Sequence, residues 1–79
     1  SDLAIDEPSE APSIRSPEED YERGMVLKEE ERMKEAVELF HAAARDKSLW
    51  FKAYAQVGYC YVMMREPQAA IQAFCTALD

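Results

Sequence analysis

From Ser16 onward, apolar residues recur three and four positions apart, the spacing of one face of an α-helix; before Ser16 no period of two or of 3.6 exists. Ser16-Pro17-Glu18-Glu19 reads as a helix start. Serine can cap free amide groups, proline suits the first helical position, and Glu19 completes a capping box. Glu18, Glu19 and Asp20 suit the positive end of the helix dipole. A first helix is expected over about residues 17–30, ending in the polar stretch Glu29-Glu30-Glu31-Arg32. A second is expected over about 34–46, with Ala36, Val37, Phe40, Ala43 and Ala44 on its apolar face. The third, over about 49–64, has Ser48 placed to cap it and is apolar almost all round, from Leu49 and Trp50 to Val62 and Met63. Such a helix is central, or has a face waiting for a partner. Pro67 opens a fourth helix, which carries Ala70, Ile71, Phe74, Ala77 and Leu78.

One stretch of this pattern is written twice. Gly24 and Gly58, Ala36 and Ala70, Phe40 and Phe74, and Ala43 and Ala77 are each 34 residues apart, with no gap. A fixed period in this range marks a stacked repeat. Two helices approach closely only where a small side chain admits a neighbour, so the glycines and alanines are expected at close crossings. A glycine inside a helix costs about 1 kcal/mol against alanine, which makes its recurrence at one place informative. The phenylalanines are expected to fill the space between the two units.

These residues resemble the tetratricopeptide repeat, a helix-turn-helix unit with the pattern W-x2-L-G-x2-Y, then A-x3-F, then A, then P. The second unit follows it at Tyr54, Val57, Gly58, Tyr61, Ala70, Phe74 and Ala77. The first departs from it. Asp20 and Arg23 stand where the family has its aromatic and leucine, Leu27 where it has tyrosine, and Ser48 where it usually has proline. The resemblance implies an all-α fold of tandem helix-turn-helix repeats, an α-solenoid with four helices in two antiparallel hairpins. The domain would cover 16–79, with repeat one over 17–50 and repeat two over 51–79.

Charge and composition narrow the function. Of 79 residues 16 are acidic and 9 basic, for a net charge of -7. That argues against a nucleic-acid partner, which wants a basic stripe, and against an anionic membrane surface. No apolar run reaches membrane-spanning length, and the acidic, Pro-containing start has no signal-peptide pattern. Cys60 and Cys75 fit neither a metal pair nor a redox pair, and read as small hydrophobes. Reduced thiols fit an intracellular, cytoplasmic setting. His41 is the single histidine and has no nucleophile placed beside it, the carboxylates lie in runs that read as solvated faces, and no phosphate loop is present. The expectation is a protein without catalytic residues, metal or cofactor.

A binding function does have residues to carry it. Stacked helix pairs form a concave surface lined by the first helix of each unit. Carried over from the family, the groove positions are Tyr21, Met25, Lys28 and Glu29 in the first unit, and Lys52, Ala55, Tyr59, Val62 and Met63 in the second. The lysine and asparagine by which one sub-class grips a C-terminal carboxylate are replaced by Tyr21 and Met25. The implied function is a protein-interaction scaffold that takes an extended or helical peptide on an apolar, aromatic groove. The alternatives are a self-association element, or an accessory domain of a larger protein whose activity lies elsewhere. Residues 1–15 read as an acidic, flexible tail, or as a short segment that docks in a groove through Leu3, Ile5 or Ile14. The fourth helix is apolar and has no polar helix after it, so the sequence is either a piece of a longer protein or is covered there, with a homodimer the favoured cover.

Overall fold

Ser16 starts the first helix as its chemistry dictates. Its hydroxyl accepts from the Glu19 amide at 3.1 Å, while its own amide donates to Glu19 Oε1 at 2.9 Å. In the computed structural model, which describes residues 15–79, this box opens α1 (Pro17–Glu29). Then come α2 (Met33–Ala43), a short 3-10 turn (Lys47–Leu49), α3 (Trp50–Met63) and α4 (Pro67–Ala77). The described residues are all-α, with four α-helices and no strand. The tail expected over residues 1–15 lies outside the described residues up to residue 14. Arg15, its last member, is held in place: its carbonyl accepts from Arg45 Nη2 at 2.6 Å.

Two boundaries differ from expectation for one reason. Asp46, expected at the end of the second helix, lies beyond it and accepts the Ser48 amide and hydroxyl, each at 2.9 Å. Asp46 therefore caps the 3-10 turn, and Ser48 does not cap α3, which has no side-chain cap. An aspartate that can fold back on an amide two residues ahead competes with helix continuation.

The 34-residue period extends to the backbone. After α1, the Glu31 amide donates to the Lys28 carbonyl and the Arg32 amide to the Leu27 carbonyl, both at 2.9 Å. After α3, Arg65 donates to Val62 at 3.0 Å and Glu66 to Tyr61 at 2.9 Å. This is the Schellman ending, twice, on register-matched residues. Its left-handed residue is usually glycine; here it is Glu31 (φ 63°) and Arg65 (φ 62°).

Packing follows chain order: α1 lies on α2, α2 on α3, and α3 on α4. The buried cluster joins Ala36, Val37, Phe40 and Ala43 of α2 to Ala53, Val57 and Cys60 of α3. Phe40 is fully buried, which contributes on the order of 1.5–3 kcal/mol. Phe40, expected between the units, is fully buried in the cluster that joins α2 to α3, whereas Phe74 is exposed. Phe40 lies against Gly24 and Phe74 against Gly58, each within its own helix pair. A methyl built on Gly24 would lie 2.8 Å from Phe40 Cε1. One on Gly58 would lie 2.5 Å from Phe74 Cδ1, with Cε1 closer still. The glycines thus make room for aromatic rings.

Asp20 departs from the solvated acidic face expected of it. Its side chain is 2% exposed and pairs with Arg15 Nε at 2.9 Å and Arg45 Nη1 at 2.8 Å. Burial alone would raise its carboxyl; the hydrogen bonds and charges of Arg45 and Arg15 outweigh this and hold it below the usual carboxylate range. The bridge ties the start of α1 to the end of α2. At the other pair, Trp50 Nε1 donates to the Thr76 carbonyl at 2.8 Å and joins the start of α3 to the end of α4.

The two pairs differ at their outer faces. Val37, Phe40 and Ala44 are buried, whereas their register partners, Ile71 and Phe74 on α4 and Leu78 just after it, are 61%, 41% and 78% exposed.

Candidate functional site

Side chains from α1 and α3 meet at two places, each a lysine over a tyrosine. Lys52 of α3 sets its ammonium 4.7 Å from the ring centre of Tyr21 on α1. Lys28 of α1 sets its own 4.7 Å from the ring centre of Tyr59 on α3. The arrangement is reciprocal, each helix giving one cation and one ring. A positive charge over a tyrosine face is worth about 0.5–1 kcal/mol at an exposed site. Lys28 also donates to Gln56 Oε1 at 2.8 Å, which fixes its position across the gap.

Helix spacing explains the layout. Tyr21 and Lys28 are seven residues apart on α1, as are Lys52 and Tyr59 on α3, so each pair lies two turns from the other on both helices. Tyr21 packs its ring edge against Phe40, with centroids 5.4 Å apart, so one wall of the groove rests on the core. Met25 is half-buried against the same core.

Beyond Lys28 and Tyr59 lies an open cavity of about 720 Å³, walled by Met33, Met63 and Met64. Glu29, Glu31, Arg32, Lys34 and Glu35 complete its rim, with Arg32 bound to Glu35 Oε2 at 2.8 Å. Of the expected groove residues, Tyr21, Lys28, Lys52 and Tyr59 thus come together, and Met63 and Glu29 join them at the cavity. Ala55 is half-buried on α3. Val62 is exposed and does not line the cavity. Gln56, Met33 and Met64 were not anticipated. Gln56 could have been found as the α3 position between Lys52 and Tyr59, four and three residues away, but nothing in the sequence marks an amide as a tether.

His41 Nδ1 is 3.2 Å from the Tyr54 hydroxyl on an exposed surface. Burial pushes the Cys60 thiol up, against a smaller opposing effect of the Lys28 charge, so it stays protonated and inert. Cys60 and Cys75 are both free, the first buried and the second exposed. Among the described residues no cluster of histidine, cysteine and carboxylate side chains could hold a metal, and no helix is long and apolar enough to cross a membrane. The α1–α3 face offers aromatic and methionine surface with Lys28 and Lys52 beside it, bordered by the charged rim of Glu29, Glu31, Arg32, Lys34 and Glu35. No protein-family model, curated protein or solved structure matches the chain.

Proposed function

We propose that this chain is a protein-interaction module of the tetratricopeptide kind and not an enzyme. Its two helix pairs are antiparallel hairpins stacked as repeats, and a partner peptide binds along the groove between α1 and α3. The observation that carries this reading is the reciprocal pairing of Lys52 with Tyr21 and of Lys28 with Tyr59, beside a methionine-walled cavity. Rigid aromatic rings supply contact area at little entropic cost, and methionines adapt to varied anchors. The register-matched Schellman turns and glycine–phenylalanine contacts support the repeat assignment. The test is peptide display against the full chain, with selected peptides mapped by amide chemical shifts. Shifts should concentrate on α1 and α3, and Tyr59→Ser and Met63→Ser should each weaken binding by about tenfold, the order of a lost interface anchor. Selected peptides that map to α4, and bind both variants normally, would overturn the reading.

A second reading, self-association, is favoured by the exposed Ile71 and Phe74 on α4 and Leu78 just after it. Sedimentation over a hundredfold range of concentration should then show a dimer that Leu78→Lys abolishes. A monomer at every concentration would rule it out.

A further inference from the structure

We infer that the groove selects an acidic segment: one with two side-chain carboxylates about 10 Å apart and a bulky apolar residue beside one of them. This rests on the groove reading above and adds the chemistry of the partner.

Three of the arginines are used in ion pairs within the chain. Arg15 and Arg45 pair with Asp20, and Arg32 pairs with Glu30 and Glu35. Lys28 and Lys52, like Arg23, Lys34, Lys47 and Arg65, have no carboxylate in ion-pair range among the described residues; what sets these two apart is that each lies over a tyrosine ring. Their partners are neutral: two tyrosine faces and the Gln56 amide oxygen. A ring face and an amide hold an ammonium in place without cancelling its charge, and an ammonium has three donors to share. Both lysines are therefore set against neutral partners, and Lys28 is further held by its hydrogen bond to Gln56.

Spacing sets the pattern they read. Seven residues of helix rise about 10.5 Å, which offsets the Lys28–Tyr59 pair from the Lys52–Tyr21 pair by about that much along the helix backbones. A partner in the polyproline conformation rises about 3.1 Å per residue and repeats its face every third, so carboxylates at i and i+3 stand about 9.3 Å apart on one side. The cavity beside Lys28 supplies the apolar contact through Met33, Met63 and Met64. Glu29, Glu31 and Glu35 outnumber Arg32 and Lys34 on its rim, so acids beyond the two that meet the lysines are disfavoured.

The experiment uses the full chain, isotopically labelled, and short peptides blocked at both ends so that only side-chain carboxylates are present. The probe is Gly-Glu-Leu-Pro-Glu-Gly. Its comparisons replace both glutamates by glutamine, place them next to each other, or use hexaglutamate. The first peptide should shift the resonances of Lys28, Lys52, Tyr21 and Tyr59, and bind at least tenfold more tightly than the glutamine and hexaglutamate peptides. Lys28→Gln and Lys52→Gln should each weaken it about fivefold, the scale of one exposed ion pair, while Lys→Arg at either place keeps most of the affinity. Circular dichroism of each variant checks that the fold persists. Equal binding of the glutamate and glutamine peptides in the groove overturns this inference and leaves the groove reading standing. So does equal binding of hexaglutamate. Failure of every peptide to move the groove resonances overturns this inference; failure of displayed peptides to map there overturns the groove itself.

Discussion

Replacing Gly58 tests the close-approach argument most directly. Alanine at an interior helix position should stabilise by about 1 kcal/mol over glycine if nothing else changes. Here the new methyl would lie 2.5 Å from Phe74 Cδ1, well inside van der Waals contact. Overpacking of this kind costs about 1–3 kcal/mol. The ring can yield in part, because Phe74 is 41% exposed and can swing outward. A net loss of about 1 kcal/mol is expected for Gly58→Ala, or roughly 4–8 °C in Tm for a domain of this size. Gly58→Leu should be worse, and at a total stability of about 0.05–0.15 kcal/mol per residue it should unfold much of the population. Gly24→Ala should cost at least as much as Gly58→Ala despite its wider approach. Phe40 is fully buried and held edge-on by Tyr21, so its ring has nowhere to go. Thermal melts by circular dichroism measure the single variants. Gly58→Ala combined with Phe74→Leu supplies the control, since removal of the ring should remove the penalty and leave the helix-propensity gain. If Gly58→Ala alone melts at or above the wild-type temperature, the glycine is not there to admit the ring.

Other outcomes follow from particular contacts. Asp20→Asn should lower stability by about 1–3 kcal/mol at neutral pH, below the figure for a fully buried pair because both arginines are partly exposed. Since the folded Asp20 carboxyl lies below its unfolded value near 3.9, its contribution is complete above that pH and disappears as pH falls through the folded value. Urea midpoints of wild type and Asp20→Asn should therefore converge in acid; a constant gap down to pH 2 would contradict the assignment. Arg65→Gly and Glu31→Gly should each stabilise by about 0.5 kcal/mol, because relief of a left-handed conformation exceeds the entropy that glycine adds to the unfolded chain. A lower midpoint for both would mean that their side chains contribute more than the turn geometry indicates.

Much of the helical layout was legible because it rests on local rules. The Ser16–Glu19 box, Pro17 and Pro67 at helix starts, and the apolar spacing of α2 each involve neighbours in sequence, and their helices start within a residue of expectation. What escaped depended on distance or on competition. The burial of Asp20 required Arg45, 25 residues away, and a lone acid in an acidic run gives no sign of such a partner. The Asp46 cap was missed because Ser48, two residues on, is an equally good capping residue by type. The two phenylalanines were matched to one another in register, but period alone does not say that each ring also lies against the glycine of its own pair. The lysines and tyrosines of the groove were legible as positions. Their reciprocal pairing was not, because it depends on how α1 and α3 lie beside one another.

The exposed face of α4 constrains how copies could associate. Head-to-tail stacking would set α1 of one copy against α4 of the next, in the way α3 packs on α2. The α3 residues buried in the shared cluster are Ala53, Val57 and Cys60. Their register partners on α1 are Glu19, Arg23 and Val26, all exposed and two of them charged. Pressing Glu19 and Arg23 against Ile71 and Leu78 would bury charges without partners, at a cost of several kcal/mol. An open filament built by α1 on α4 is therefore disfavoured, which leaves a two-fold contact, α4 against α4, as the simpler form that association through α4 would take. Three large apolar side chains supply roughly 500 Å² at most, against the ~800 Å² per partner of a stable interface. Such a dimer is weak and concentration-dependent. It uses none of Tyr21, Lys28, Lys52 or Tyr59, so self-association by this route and peptide capture in the groove do not compete for the same residues.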